Sequence, residues 1–113
     1  MLKPSPPTAR ERKRYLLVNV ETTETVSAKD VENVIINALL QFLGELGTSR
    51  ASTLVLQETW NGKSLIIKCA HNMVDEVKAA LLLVKNIGDS PARLSVIKVS
   101  GSIAKLKSYQ RKI

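Results

Sequence analysis

Arg10, Arg12, Lys13 and Arg14 fall within five consecutive positions, opposed only by Glu11. Guanidinium and ammonium groups at that density suit one chemistry above others. They donate charge-assisted hydrogen bonds to phosphate oxygens and displace the counterions of a polyanion. The same residue types return near the other end as Lys105, Lys107, Arg111 and Lys112. These eight side chains are the candidate phosphate-binding set.

The charge distribution supports that choice. The chain carries a formal +7 over 113 residues, but residues 1–14 hold +4, residues 98–113 hold +5, and the 83 residues between them hold −2. Two solvated tails that only keep the protein soluble would explain a positive total. They would not require its segregation to the ends, which is what a polyanion-binding surface would need.

Other chemistries find little material. Cys69 and His71 are the single cysteine and the single histidine. Two positions apart in a strand they would share a face, so a thiol nucleophile and a base could in principle meet. The plainer reading, a packed thiol beside a histidine at a strand end, is preferred. A zinc site needs about four nitrogen or sulfur ligands, and the chain does not offer them. The acids of the middle segment are scattered, Asp75 and Glu76 alone being adjacent, and the five glycines form neither G-x-G-x-x-G nor a P-loop. No catalytic residue, metal ligand or cofactor of the chain's own is expected.

The elements that must position the basic groups are legible from periodicity. Pro4, Pro6 and Pro7 predict an extended arm. Leu16, Val18 and Val20 alternate as in a half-buried strand running to about Glu21. Ser27 with Asp30 reads as a capping box, and Val31, Val34, Ile35, Ala38, Leu39, Phe42 and Leu46 form the stripe of a long helix ending at Gly47. Thr53–Trp60 and Lys63–Ala70 read as strands joined by an Asn61-Gly62 hairpin. Asn72 is expected to cap a second helix, with Val74, Val77, Leu81 and Val84 as its stripe and Gly88 as its stop. Arg93–Val99 is a fourth strand, and the segment after Gly101 is either coil or a short helix.

That order predicts an α+β, ferredoxin-like (RRM-like) two-layer sandwich, β-α-β-β-α-β, with a four-stranded antiparallel sheet and both helices on one face. The boundaries are a basic Pro-rich arm at 1–14, the sandwich at 15–100 and a basic C-terminal tail at 101–113. Tyr15, Leu17 and Ile66 then lie on the sheet's second face, where either the tail or a protein partner must cover them. A partner is the favoured expectation. Base stacking on that face is disfavoured, because Lys63–Cys69 has no aromatic residue and Tyr15 would be the lone ring. Tyr109 and Trp60 could each stack on a base, although Trp60 could equally pack beside its turn. Phosphate contact with a folded RNA fits better. The chain has no apolar run near the ~18 residues of a membrane span and no signal-like N-terminus, so a cytoplasmic location without membrane contact is expected.

Pro6-Pro7-Thr8-Ala9-Arg10-Glu11-Arg12-Lys13-Arg14-Tyr15 resembles the opening of the small Pop-type protein family of archaeal and eukaryotic ribonuclease P. Lys68-Cys69, Ala79-Ala80-Leu81 and Gly101-Ser102-Ile103 fit the same family, although Ala104 stands where a basic residue would follow directly. The resemblance implies a non-catalytic subunit of the ribonucleoprotein that removes the 5′ leader from precursor tRNA. It implies a catalytic RNA carrying the metal ions and a larger TIM-barrel-like protein partner (protein component 3), while the eight basic residues named above are assigned to RNA contact by their charge and clustering alone. Self-association and the surface that meets the partner are left open. The alternative is a ferredoxin-like protein-interaction or small-ligand module with no RNA function.

Overall fold

The computed structural model describes residues 12–113. The proline-rich arm and Arg10 lie outside the described residues. Strand β1 (Lys13–Thr22) is followed by helix α1 (Ala28–Ala51), β2 (Leu54–Leu56), β3 (Ser64–Ala70), α2 (Val74–Leu82), β4 (Asn86–Ile87), β5 (Ser90–Ser100) and α3 (Ile103–Lys112). The sheet order is β2-β3-β1-β5-β4. Every pairing is antiparallel, with Leu16 opposite Ile67 on β3 and opposite Val99 on β5.

The alternation of β1 creates two apolar faces. Leu16, Val18 and Val20 pack with Val31, Ile35 and Leu39 of α1 and Val77 and Leu81 of α2 into the main core. Leu17 points the other way and meets Ile66 and Leu106, all three fully buried. β1 is therefore hydrophobic on both sides, as the central strand of a sheet covered on both faces must be.

The start of α1 is as the sequence predicts. The Asp30 amide donates to Ser27 Oγ at 3.1 Å and the Ser27 amide donates to Asp30 Oδ2 at 3.4 Å. Its end is different. The helix runs past Gly47 to a left-handed cap at Ser52 (φ 49°), and it is broken by Gly44 at φ 74°, ψ 178°. The break turns the stripe beyond it, so Leu46 is 66% exposed; Phe42, just before the break, is 47% exposed as well, and neither belongs to the core that the stripe predicts.

Other expectations are corrected by local hydrogen bonding. The sheet has five strands, because the segment expected to end the second helix unwinds after Leu82 and forms β4, which turns into β5 through Gly88 at φ 61°. Ile87 still reaches the core, but from a strand. Asn72 sits in a 3₁₀ turn (His71–Met73) that has no side-chain cap, and α2 likewise begins without one. β2 is only three residues long, since Gln57–Thr59 form a second 3₁₀ turn. Asn61-Gly62 does make a turn, with Asn61 Oδ1 accepting from the amides of Lys63 (2.9 Å) and Ser64 (2.8 Å), but the loop is wider than a two-residue hairpin.

Candidate nucleic-acid interface

The second face of the sheet is covered by the chain itself. α3 is a full helix capped by Ser102, and it lays Ile103, Leu106 and Tyr109 over Leu17, Ile66, Tyr15 and Leu56. The expected protein partner on this face is thus replaced by the C-terminal segment. The physical reason lies in the spacing: Ile103, Leu106 and Tyr109 recur at every third residue, giving one narrow apolar edge that fits the small strip of Leu17 and Ile66. The Tyr15 ring is half-buried in that packing, under the helix that covers this face.

A bulge in β5 decides which side chains accompany α3. Leu17 pairs with Lys98, but Val18 pairs with Val96, so Ile97 is an extra residue on β5. Without it, Lys98 would share the face of Val96, toward the main core. With it, Lys98 is turned to the face of Leu17, and its Nζ lies 4.6 Å from the centroid of the Tyr109 ring. A cation held over an aromatic face is favourable by about 0.5–1 kcal/mol at an exposed site.

The N-terminal basic segment meets the start of the C-terminal one at the N-terminal end of α3. Tyr15 pairs with Ser100, and a Cβ built on Gly101 would lie 3.8 Å from Arg14 Nη1. Arg12 is exposed, while Lys13 and Arg14 are half-buried, Arg14 donating to the Lys13 carbonyl at 2.9 Å. From there α3 crosses the sheet toward β3, where Gln110 binds Ser64, the residue opposite Asn19. Arg14 and Asn19 are five positions apart along β1, roughly 17 Å. The cations therefore form a band instead of one cluster. Lys105, Lys107, Arg111 and Lys112 are all exposed along it. Helical spacing puts Lys105 and Lys112 on one flank of α3 and Lys107 and Arg111 on the other. The second pair borders a groove with Glu58, Trp60 and Asn61.

Trp60 belongs to the scaffold. It packs against the main core and its Nε1 donates to the Val26 carbonyl at 3.2 Å. Cys69 and His71 are kept apart. Cys69 is fully buried in the main core, and desolvation pushes its thiol up to about 11 despite the opposing charge of Lys13. His71 is exposed, with Nδ1 3.3 Å from the Arg12 carbonyl oxygen. A buried protonated thiol facing away from the histidine is no nucleophile–base pair. Among the described residues, no three His, Cys, Asp or Glu side chains are grouped to hold a metal ion.

The model of the Rpp14/Pop5 family matches residues 14–110, from the first strand to the last turn of α3. The chain belongs to the Rpp14/Pop5 family. It is a protein subunit of ribonuclease P. Similar relatives include ribonuclease P protein component 2 of Methanocaldococcus jannaschii, 38% identical over 95% of this chain and 78% of that protein. The protein of the same name from Pyrococcus furiosus is 36% identical over 93% of this chain and 88% of its own length. A chain in the cryo-EM structure of yeast ribonuclease MRP matches with a TM-score of 0.68, covering 92% of this chain and 89% of that one. At 14% identity that likeness is one of fold. The family resemblance read from the N-terminal residues is thereby borne out.

Two functional features of this Rpp14/Pop5 chain escaped sequence reasoning. The anchoring of α3 by Gln110 has no sequence signature. The placement of Lys98 had one, since Val96-Ile97 breaks the alternation of β5 just before the lysine.

Proposed function

We propose that this subunit binds the catalytic RNA of ribonuclease P through the band of cations that starts at Arg12–Arg14 and follows α3. In doing so it supports removal of the 5′ leader from precursor tRNA. The observation that carries the reading is the juxtaposition of Arg14 with Gly101, which joins the basic segments at opposite ends of the chain into one surface. Arg10 continues the basic segment in sequence but lies outside the described residues.

The role is electrostatic. Side chains that neutralise phosphates lower the repulsion that resists packing RNA strands together, and they carry no sequence information themselves. Metal ions for the cleavage are assigned to the RNA, and the chain is assigned no cofactor. The partners are the catalytic RNA, precursor tRNA in the holoenzyme and the larger TIM-barrel-like subunit, protein component 3, in the cytoplasm. No helix among the described residues is long and apolar enough to cross a membrane.

The test is reconstitution. Adding the chain to ribonuclease P RNA with its larger protein partner should raise precursor-tRNA cleavage. With about four phosphates neutralised, log affinity should fall against log salt with a slope near −3 to −4. Replacing Arg12, Lys13 and Arg14 together by Ala should weaken activation at limiting protein while leaving the circular dichroism spectrum unchanged. No gain in cleavage on adding the chain would overturn the proposed support of the catalytic RNA.

A further inference from the structure

We propose that Lys98, Lys105 and Lys112 form a three-lysine phosphate-contact site around the ring of Tyr109, with Lys98 as a contact residue created by the β5 bulge. The proposal rests on the RNA-binding reading above and specifies one part of its surface. It differs from that reading in adding Lys98 and in setting one flank of α3 apart from the other.

The geometry comes from three independent features. The extra residue Ile97 turns Lys98 to the α3 side of the sheet, where its Nζ stands 4.6 Å from the Tyr109 ring centroid. Lys105 precedes Tyr109 by four residues and Lys112 follows it by three, so both are its neighbours on the helix surface. Seven residues of helix separate the two lysines by about 10 Å along the axis. All three lysines are exposed, and the ring between them is half-buried on the Leu17–Ile66–Leu106 cluster, which fixes its position. Residues 98–113 contain no acid to offset them.

Three like charges around one ring repel each other, and the ring quadrupole offsets only part of that cost. A bound phosphate backbone relieves the repulsion by supplying the opposite charge at several points. The ring face beneath Lys98 is occupied by the ammonium group, so the site suits phosphates and is closed to a stacked base on that face. Its contacts are accordingly indifferent to base sequence.

The experiment titrates the full chain into ribonuclease P RNA with its larger protein partner at several salt concentrations. Lys98→Gln, Lys105→Gln and Lys112→Gln are compared singly, with Lys78→Gln on α2 as the control. Each of the three site variants should make the slope of log affinity against log salt shallower by roughly 0.7–0.9, the value of one lost phosphate contact, and Lys78→Gln should not. Lys98→Arg should keep the slope of the unsubstituted chain. If Lys105→Gln and Lys112→Gln lower the slope but Lys98→Gln only lowers the melting temperature, Lys98 is a brace for the ring and the proposal is overturned while the RNA-binding reading stands. If the unsubstituted chain itself shows no salt dependence, both fall together.

Discussion

Gln110 and Ser64 lie 46 residues apart in sequence, yet the Gln110 amide donates to Ser64 Oγ at 2.9 Å and to the Ser64 carbonyl at 3.2 Å. The same nitrogen reaches the Thr59 carbonyl at 3.0 Å. Ser64 is 2% exposed and is also held by Asn61, so one side chain of α3 is tied to the turn that launches β3. This is the contact that fixes the far end of the basic helix on the sheet.

Gln110→Ala should therefore loosen α3 at its C-terminal end. It removes the donor from buried acceptors, for which about 1–3 kcal/mol is the usual cost. Urea unfolding should report that loss. Hydrogen exchange should show faster exchange of the amides of 107–112, with those of β1 unchanged. Equal protection across α3 in both proteins would show that the amide is not what holds it.

Leu106→Ala should weaken the docking of α3 from its middle. Leu106 is fully buried in a cluster with only two other fully buried residues, Leu17 and Ile66. Truncation of a buried leucine costs about 2–5 kcal/mol, and the cluster is small, with Ile103 and Tyr109 only half-buried at its rim, so the lower half of that range is expected. Thermal melts should shift down, and the salt-dependent affinity for RNA should fall with them because Lys105 and Lys107 lose their fixed position.

Gly44→Ala should destabilise without any steric clash. Nothing lies within 4 Å of a Cβ at Gly44, but its φ of 74° with ψ of 178° is backbone that residues with side chains avoid. A cost of about 1–3 kcal/mol is expected, measured by denaturant unfolding. If the variant is instead more stable and more helical, α1 tolerates straightening through the break.

Cys69 should be silent toward thiol reagents in the folded protein at pH 8 and react once the chain is unfolded. Its thiol is raised from 9.0 to about 11 by burial, so the folded state holds its proton more tightly than the unfolded state does. That contribution is fully present below about pH 9 and is lost as the pH climbs toward about 11. Cys69→Ala should flatten the decline of stability over that window relative to the unsubstituted chain, and an identical decline in both would assign the effect to other groups.

Several features were legible in the sequence because they depend on neighbours along the chain. The alternation of Leu16, Val18 and Val20, the capping box of Ser27 and Asp30, and the segregation of cations to both ends all need only local geometry and composition. The family resemblance was equally readable from the run ending at Tyr15. What covers Leu17 and Ile66 was not readable, because α3 has a narrow apolar edge and its burial depends on a strip of sheet assembled from distant segments. The break at Gly44 and the unwinding after Leu82 were also hidden, since a hydrophobic period continues through both while the backbone does not. Composition and local periodicity set which charges the protein carries and the order of its main elements. That Arg14 meets Gly101 and Lys98 stands over Tyr109 follows from folding, because strand register and one inserted residue set which distant side chains share a face.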